Sequence, residues 1–149
     1  MTAHGDFDLF VARIEPGLRR ALAGHCAIDE VPDALAEAFA YAWQHWDRVS
    51  GMDSPSGFLY RVAQSRSRQR RAGSLPGPDR GRLPDVEPKL GPALRGLPLR
   101  QRSVVWLVHA CGWSYADTAE ALGISRSAVG THLERALARL RADLGVAQT

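Results

Sequence analysis

The chain has 149 residues, 45% of them hydrophobic, and a formal net charge of +3. That length suits one average domain or two small ones; no apolar run is long enough to span a bilayer, and the opening MTAHGDFD lacks the basic-then-apolar order of a secretory signal, so neither membrane insertion nor export is expected. The charge is unevenly spread: residues 1–60 hold nine acids against four arginines (−5), and residues 61–149 hold fifteen basic residues against seven acids (+8), which suits a basic partner surface for the first half and nucleic acid for the second.

The first predicted element runs from about Asp6 to Gly24. Phe7, Phe10, Val11, Ile14, Leu18 and Leu22 recur at helical spacing, and Pro16 is expected to kink the helix or split it. A second helix is predicted from Pro32 to about Trp46. Pro32 suits an early helical position and Asp33 the first turn, and Leu35, Phe39, Ala42, Trp43 and Trp46 are expected to form its apolar face. Asp47 to Pro55, DRVSGMDSP, reads as a loop. Ser54 or Ser56 then starts a third helix through Phe58, Leu59, Tyr60, Val62 and Ala63 into the basic run RSRQRR.

Residues 72–92 read as a linker. Pro76, Pro78, Pro84, Pro88 and Pro92 alternate with Gly73, Gly77, Gly81 and Gly91, a density that excludes long helices and favours an extended tether. A second unit starts near Leu94, and Pro98 opens a helix carrying Val104, Val105, Leu107 and Val108. From Trp113 to Leu144 the pattern sharpens. Ser114 caps a helix and Asp117 completes a Ser-x-x-Asp capping box. Ala116, Ala119 and Leu122 follow, and Gly123 ends the helix. Ile124 is an apolar turn residue, and Ser125 caps a second helix with the stripe Val129, Leu133, Leu137, Leu140 and Leu144. Two capped helices joined by a tight glycine turn form a helix-turn-helix, whose second helix enters the major groove of DNA. The plain alternative is an αα-hairpin without a ligand.

The predicted fold class is therefore all-α: two small helical domains joined by a Pro/Gly-rich linker, the C-terminal one a helix-turn-helix. No β-pattern and no internal repeat is present. Cys26 and Cys111 each sit among apolar neighbours and read as reduced thiols of a cytoplasmic protein. The pairs His25-Cys26 and His109-x-Cys111 match no standard zinc spacing. No nucleophile–base pair and no phosphate-cradling glycine loop is present, so no enzyme activity, metal or cofactor is expected.

Both halves resemble one family. LPLRQRSVVWLVHACGWSYADTAEALGISRSAVGTHLERALARLR looks like the promoter-binding domain four of bacterial sigma factors. DEVPDALAEAFAYAWQHWDRV and FLYRVAQSRSRQRR are similar to their domain two. The length, without a middle domain, fits the extracytoplasmic-function class. The resemblance covers roughly residues 7–71 and 94–144. It implies that residues 1–71 dock on RNA polymerase core enzyme and read the −10 element, that 72–92 link, and that 93–149 read the −35 element.

The roles it implies are specific. Asp33, Glu37 and Gln44 lie on the helix that docks on the basic clamp helices of the polymerase. The loop Val49 to Pro55 matches the part that captures an unstacked base, and Arg61, Arg66, Arg68, Arg70 and Arg71 are the matching phosphate contacts. Arg126, Ser127, Thr131, His132 and Arg135 are expected on the exposed side of the reading helix, with Arg102 and Tyr115 as flanking backbone contacts. Factors of this class are often held by an anti-sigma partner, which the resemblance leaves open here. Ala36, Phe58 and the stretch Gln64 to Gln69 depart from the family pattern. Two alternatives therefore stand beside an alternative sigma factor: a degenerate sigma-like protein that binds polymerase or DNA without opening promoters, and a free-standing helix-turn-helix regulator acting as a dimer on a palindrome.

Overall fold

The computed structural model describes residues 3–72 and 90–145. All regular structure among them is helical: α1 (Ala3–Ala23), α2 (Val31–Gln44), α3 (Trp46–Val49), α4 (Pro55–Ala72), α5 (Leu90–Arg95), α6 (Leu99–Val105), a π-helical turn (Trp106–Ala110), α7 (Tyr115–Leu122) and α8 (Arg126–Leu144). No helix among the described residues is long and apolar enough to cross a membrane. The predicted linker at residues 72–92 lies almost wholly outside the described residues; α5 begins inside its C-terminal end.

Helices α1, α2 and α4 pack against one another in pairs. Their core is Phe10, Ile14, Leu18, Ala21 and Leu22 from α1, Val31, Ala34, Leu35, Ala38 and Ala42 from α2, and Leu59, Tyr60 and Ala63 from α4. Pro16 lies inside α1 without splitting it. Proline in a helix interior costs about 3 kcal/mol, and the buried stripe on either side of Pro16 offsets that cost. The face of α2 also differs from its predicted form. Small residues Ala34, Ala38 and Ala42 with Val31 and Leu35 are buried, so α1 and α4 approach closely, while Trp43 is 41% exposed. Trp43 instead closes the outer edge of an aromatic group with His4 and Phe7, and Phe7 and Phe10 meet Trp46 edge-on. The predicted loop after α2 is shorter than expected, because Trp46–Val49 forms the extra turn α3.

The second half is built on two further clusters. Ala93 and Leu97 near α5 pack on Ala136 and Leu140 of α8; Val104, Ala119, Val129 and Leu133 join α6, α7 and α8. The caps form as the sequence predicts. Ser114 Oγ accepts from the Asp117 amide at 3.0 Å and Ser125 Oγ from the Ala128 amide at 3.1 Å. Gly123 ends α7 with φ of 67°, a left-handed conformation that glycine adopts without steric cost.

The halves are not separate. Leu107, Trp113 and Ala121 of the second half share the core of the first, and α4 lies directly against α7. At their crossing a Cβ on Gly57 would fall 2.5 Å from the Asp117 carbonyl oxygen, 2.8 Å from Glu120 Cβ and 2.9 Å from the Ala121 amide nitrogen. Only glycine permits that approach. The π-turn serves the same seam. Its wider winding, with the Cys111 amide bonded to the Trp106 carbonyl and the Trp113 amide to the Leu107 carbonyl, aims both tryptophans at the first half. Trp106 Nε1 donates to the Ala21 carbonyl at 3.2 Å, and Trp113 meets Tyr60 edge-on.

Burial raises the pKa of Tyr60 well above the usual tyrosine range, with smaller contributions from nearby Cys26 and Cys111. Burial likewise pushes the Cys111 thiol up to about 11. Both cysteines are free thiols. A thiol that ionises near 9 unfolded and near 11 folded stabilises the fold below pH 9, and that contribution is lost as pH rises through this window.

Candidate polymerase and DNA interfaces

The proposed docking residues share one stripe of α2. Asp33, Glu37 and Gln44 are spaced by four and seven residues, close to whole helical turns. Asp33 and Gln44 are exposed; Glu37 is half-buried and already engaged within the chain. The stripe thus offers an exposed carboxylate and an exposed amide on either side of a half-buried carboxylate. Beside it Trp43, Gln44, Trp46 and Arg48 line a shallow cavity of about 350 Å³.

The arginines of α4 divide. Arg61 and Arg66 are exposed. Arg61 donates from Nη1 to Glu120 Oε1 of α7 at 3.2 Å, so in this conformation its charge is turned to the other half. Arg68, Arg70 and Arg71 fall on the last turns of α4, but their side chains lie outside the described residues.

On α8, Ser127, Thr131 and Arg135 are exposed at four-residue spacing and share a face; Arg126 is exposed at the first helical position. Thr131 Oγ1 donates to the Ser127 carbonyl at 3.1 Å and the Ser125 and Ser127 hydroxyls lie 3.1 Å apart, which orients the hydroxyls at the helix start. His132 departs from the expected surface position. It is half-buried, and its Nδ1 is enclosed without a hydrogen-bond partner. Position 132 follows Thr131 by 100° around the helix, which turns it away from the exposed face. Arg102 is half-buried on α6, and Tyr115 is 44% exposed at the start of α7.

Gly130, in the second turn of α8, faces the Tyr115 ring, and a Cβ there would sit 3.7 Å from Tyr115 Cε2, an ordinary contact. Gly130→Ala is therefore expected to stabilise the protein by about 0.5–1 kcal/mol through helix propensity alone. Thermal melting should show a midpoint higher by about 1–4 °C; a lower midpoint would mean the Tyr115 ring has no room to yield.

Two groups carry weight that periodicity does not reveal. Arg100 Nη1 donates to the Leu122 carbonyl at 2.9 Å, satisfying the C-terminal end of α7 and fixing the turn between the two helices. Arg48, exposed within α3, lies over the Phe58 ring at 5.4 Å. Phe58 continues to Tyr41 and then His45, the last two stacked with centroids 4.1 Å apart. This row of rings ending in a guanidinium borders the loop at Met52–Ser54. Arg48, Ser54, Phe58 and Arg61 form one wall of a cleft of about 660 Å³, and Glu120, Ile124, Ser125 and Arg126 form the other.

A family model described as sigma-70, region 4 matches residues 89–140, the stretch from α5 to most of α8. The RNA polymerase sigma-E factor of Streptomyces avermitilis is 33% identical over 159 aligned positions, spanning 95% of this chain and 88% of that protein. The sigma-E factor of Streptomyces antibioticus is also 33% identical, over 127 positions, spanning 77% and 71% of the two chains. The chain belongs to the RNA polymerase sigma factor family.

It is an alternative sigma factor, a protein of transcription initiation, and its all-helical fold matches solved members. The sigma factor RpoE of Bartonella quintana, solved in complex with the anti-sigma factor NepR, superposes with a TM-score of 0.68 at 23% identity, covering 96% of this sigma factor and 99% of that chain. CnrH, solved in complex with the cytosolic domain of CnrY, gives 0.66 at 26% identity, covering 95% and 89%.

Proposed function

We propose that this sigma factor binds RNA polymerase core enzyme through α2 and delivers it to promoters by reading two DNA elements. Residues 1–71 serve the polymerase and the −10 element, residues 72–92 connect, and residues 93–149 serve the −35 element. The chain is not itself an enzyme; bond formation belongs to the polymerase. The observation that carries this reading is the capped pair α7–α8, with Arg126 exposed at the start of the longer helix, within the region that matches the family model.

The assignments follow from chemistry. Asp33, Glu37 and Gln44 complement a basic helical surface. Arg61, Arg66, Arg68, Arg70 and Arg71 take phosphates, and the row His45, Tyr41, Phe58 and Arg48 gives unpaired bases a surface to stack on. Arg126, Ser127, Thr131 and Arg135 read the major groove; Arg102 and Tyr115 steady the backbone. His132 supports the helix from behind. A cytoplasmic location and an anti-sigma partner fit the same reading, since the solved RpoE of Bartonella quintana is in complex with the anti-sigma factor NepR.

The direct test is co-elution of the purified chain with bacterial core polymerase on a sizing column. A stable complex is expected, and a folded chain that elutes alone would move the weight to a free-standing DNA-binding regulator. For the reading helix, Arg126→Ala should weaken duplex binding by about 1–3 kcal/mol and relax sequence choice if the guanidinium holds a guanine bidentately. Anisotropy titrations against competing duplexes measure both effects. Equal affinity of parent and variant for every duplex would remove Arg126 from the readers.

A further inference from the structure

We propose that the cleft between the loop at Met52–Ser54 and the turn from α7 to α8 is a binding site for a nucleoside polyphosphate. The site goes beyond the promoter contacts, although it draws on some of the same guanidinium groups.

The cleft holds about 660 Å³, inside the span of about 300–1000 Å³ in which small-molecule sites fall. That is room for one nucleotide and not for a duplex, whose major groove alone is about 12 Å wide.

The lining is mixed. Met52, Phe58 and Ile124 are half-buried apolar side chains that all border the cleft. Arg48 and Asp53 border it from the first half and Arg126 from the second. Arg61 is already paired with Glu120. Among the described residues Arg48, Asp53 and Arg126 have no ion-pair partner. The cleft therefore presents two guanidiniums and one carboxylate whose charges are not answered by the chain. Arg48 also lies over the Phe58 ring at 5.4 Å, which joins the cationic and aromatic parts of that wall.

A nucleoside polyphosphate answers all of these groups at once. Guanidiniums take phosphate through charge-assisted, bidentate hydrogen bonds, and arginines from the two halves call for more than one phosphate. A base gives Met52, Phe58 and Ile124 a flat apolar body to cover. Asp53 sets the third condition. A carboxylate only accepts hydrogen bonds, so it repels a bare phosphate and welcomes ribose hydroxyls or an exocyclic amine. Inorganic polyphosphate leaves Asp53 opposed, and a nucleoside without phosphate leaves Arg48 and Arg126 unanswered.

The experiment is equilibrium dialysis of the full chain against ATP and, separately, GTP in magnesium-free buffer. One-to-one binding in the micromolar range is expected for at least one of them. The matching nucleoside and inorganic triphosphate should each bind more weakly by about tenfold or more. Arg48→Ala and Arg126→Ala should each weaken the nucleotide by about tenfold, the loss expected of a charge-assisted hydrogen bond. Asp53→Ala should narrow the gap by tightening inorganic triphosphate. Arg139→Ala, farther along α8, controls for general positive charge and should bind as the parent does. All four positions are exposed, so the variants are expected to fold, which circular dichroism checks.

A folded parent that binds neither nucleotide at millimolar concentration would overturn the proposal. Inorganic triphosphate binding as tightly as the nucleotide would overturn it too, because the cleft would then be only an anion patch. So would an equal loss in Arg139→Ala and Arg126→Ala. Duplex titrations of Arg126→Ala keep this site apart from the promoter reading. If nucleotide affinity falls and duplex affinity does not, the nucleotide site stands and Arg126 is not a reader. If duplex affinity falls and neither nucleotide binds the parent, the reader stands and the nucleotide site does not.

Discussion

Leu18→Ala is expected to destabilise the whole chain, in a single transition. Leu18 is fully buried in α1 and belongs to the one core that also holds Leu107, Trp113 and Ala121 from the second half. Truncating a buried leucine costs about 3–5 kcal/mol, through lost transfer energy and the cavity left behind. Total stability of a domain is usually about 5–15 kcal/mol, so this is a large fraction. At roughly 2–4 °C per kcal/mol for this chain length, the midpoint should fall by about 6–20 °C. Because the core is shared, far-ultraviolet dichroism and tryptophan fluorescence, which includes Trp106 and Trp113 of the second half, should fall together. Two separated transitions, with only the first displaced, would show that the halves fold independently and that the shared core is not cooperative.

Asp33→Lys carries the largest expected effect on function. Asp33 is exposed in the first turn of α2, aligned with Gln44. Reversing its charge turns attraction to a basic partner into repulsion, and like-charge juxtaposition at an interface costs several kcal/mol. Affinity for core polymerase should fall by about a hundredfold, with helical content nearly unchanged, because an exposed substitution away from the core moves stability little. The loss of a favourable acid near the helix start accounts for a further few tenths of a kcal/mol of stability. Asp33 is a cleaner probe than Glu37, which is half-buried and already engaged within the chain, so that reversal there would disturb α2 itself. Biolayer interferometry on immobilised core polymerase measures the change, and wild-type affinity in the variant would mean that another surface docks.

The parts of this molecule that were legible in its sequence are those set by local chemistry. Ser114, Gly123 and Ser125 each act within three residues of their own position, so their spacing alone predicts both helix starts and the turn between them. The stripes of α1 and α8 are likewise periodic over many turns. The rest depends on groups far apart in sequence. Nothing around Gly57 or Gly24 says that α7 and Trp106 lie against them, because the demand for a missing Cβ comes from about 60 and 80 residues further along the chain. The continuity of α1 through Pro16 is a tertiary effect of the same kind, with packing overriding propensity. The predicted apolar face of α2 includes Ala42 but not Ala34 or Ala38, which are buried beside it, while Trp43 reads as core and closes an outer edge. Among the candidate site residues, Ser127, Thr131 and Arg135 share an exposed face by spacing. His132 sits one residue on and is turned inward, and Arg48 enters through a ring contact that no spacing rule encodes.

The central claim, promoter-directed initiation, is tested most directly by transcription in a defined system. Core polymerase is incubated with a library of genomic duplex fragments, with and without this chain, and the 5′ ends of the transcripts are sequenced. The account predicts start sites that depend on the chain and share two upstream motifs, with the starts lost when Asp33→Lys replaces the parent. A folded chain that adds no start site to core polymerase on any fragment would contradict it.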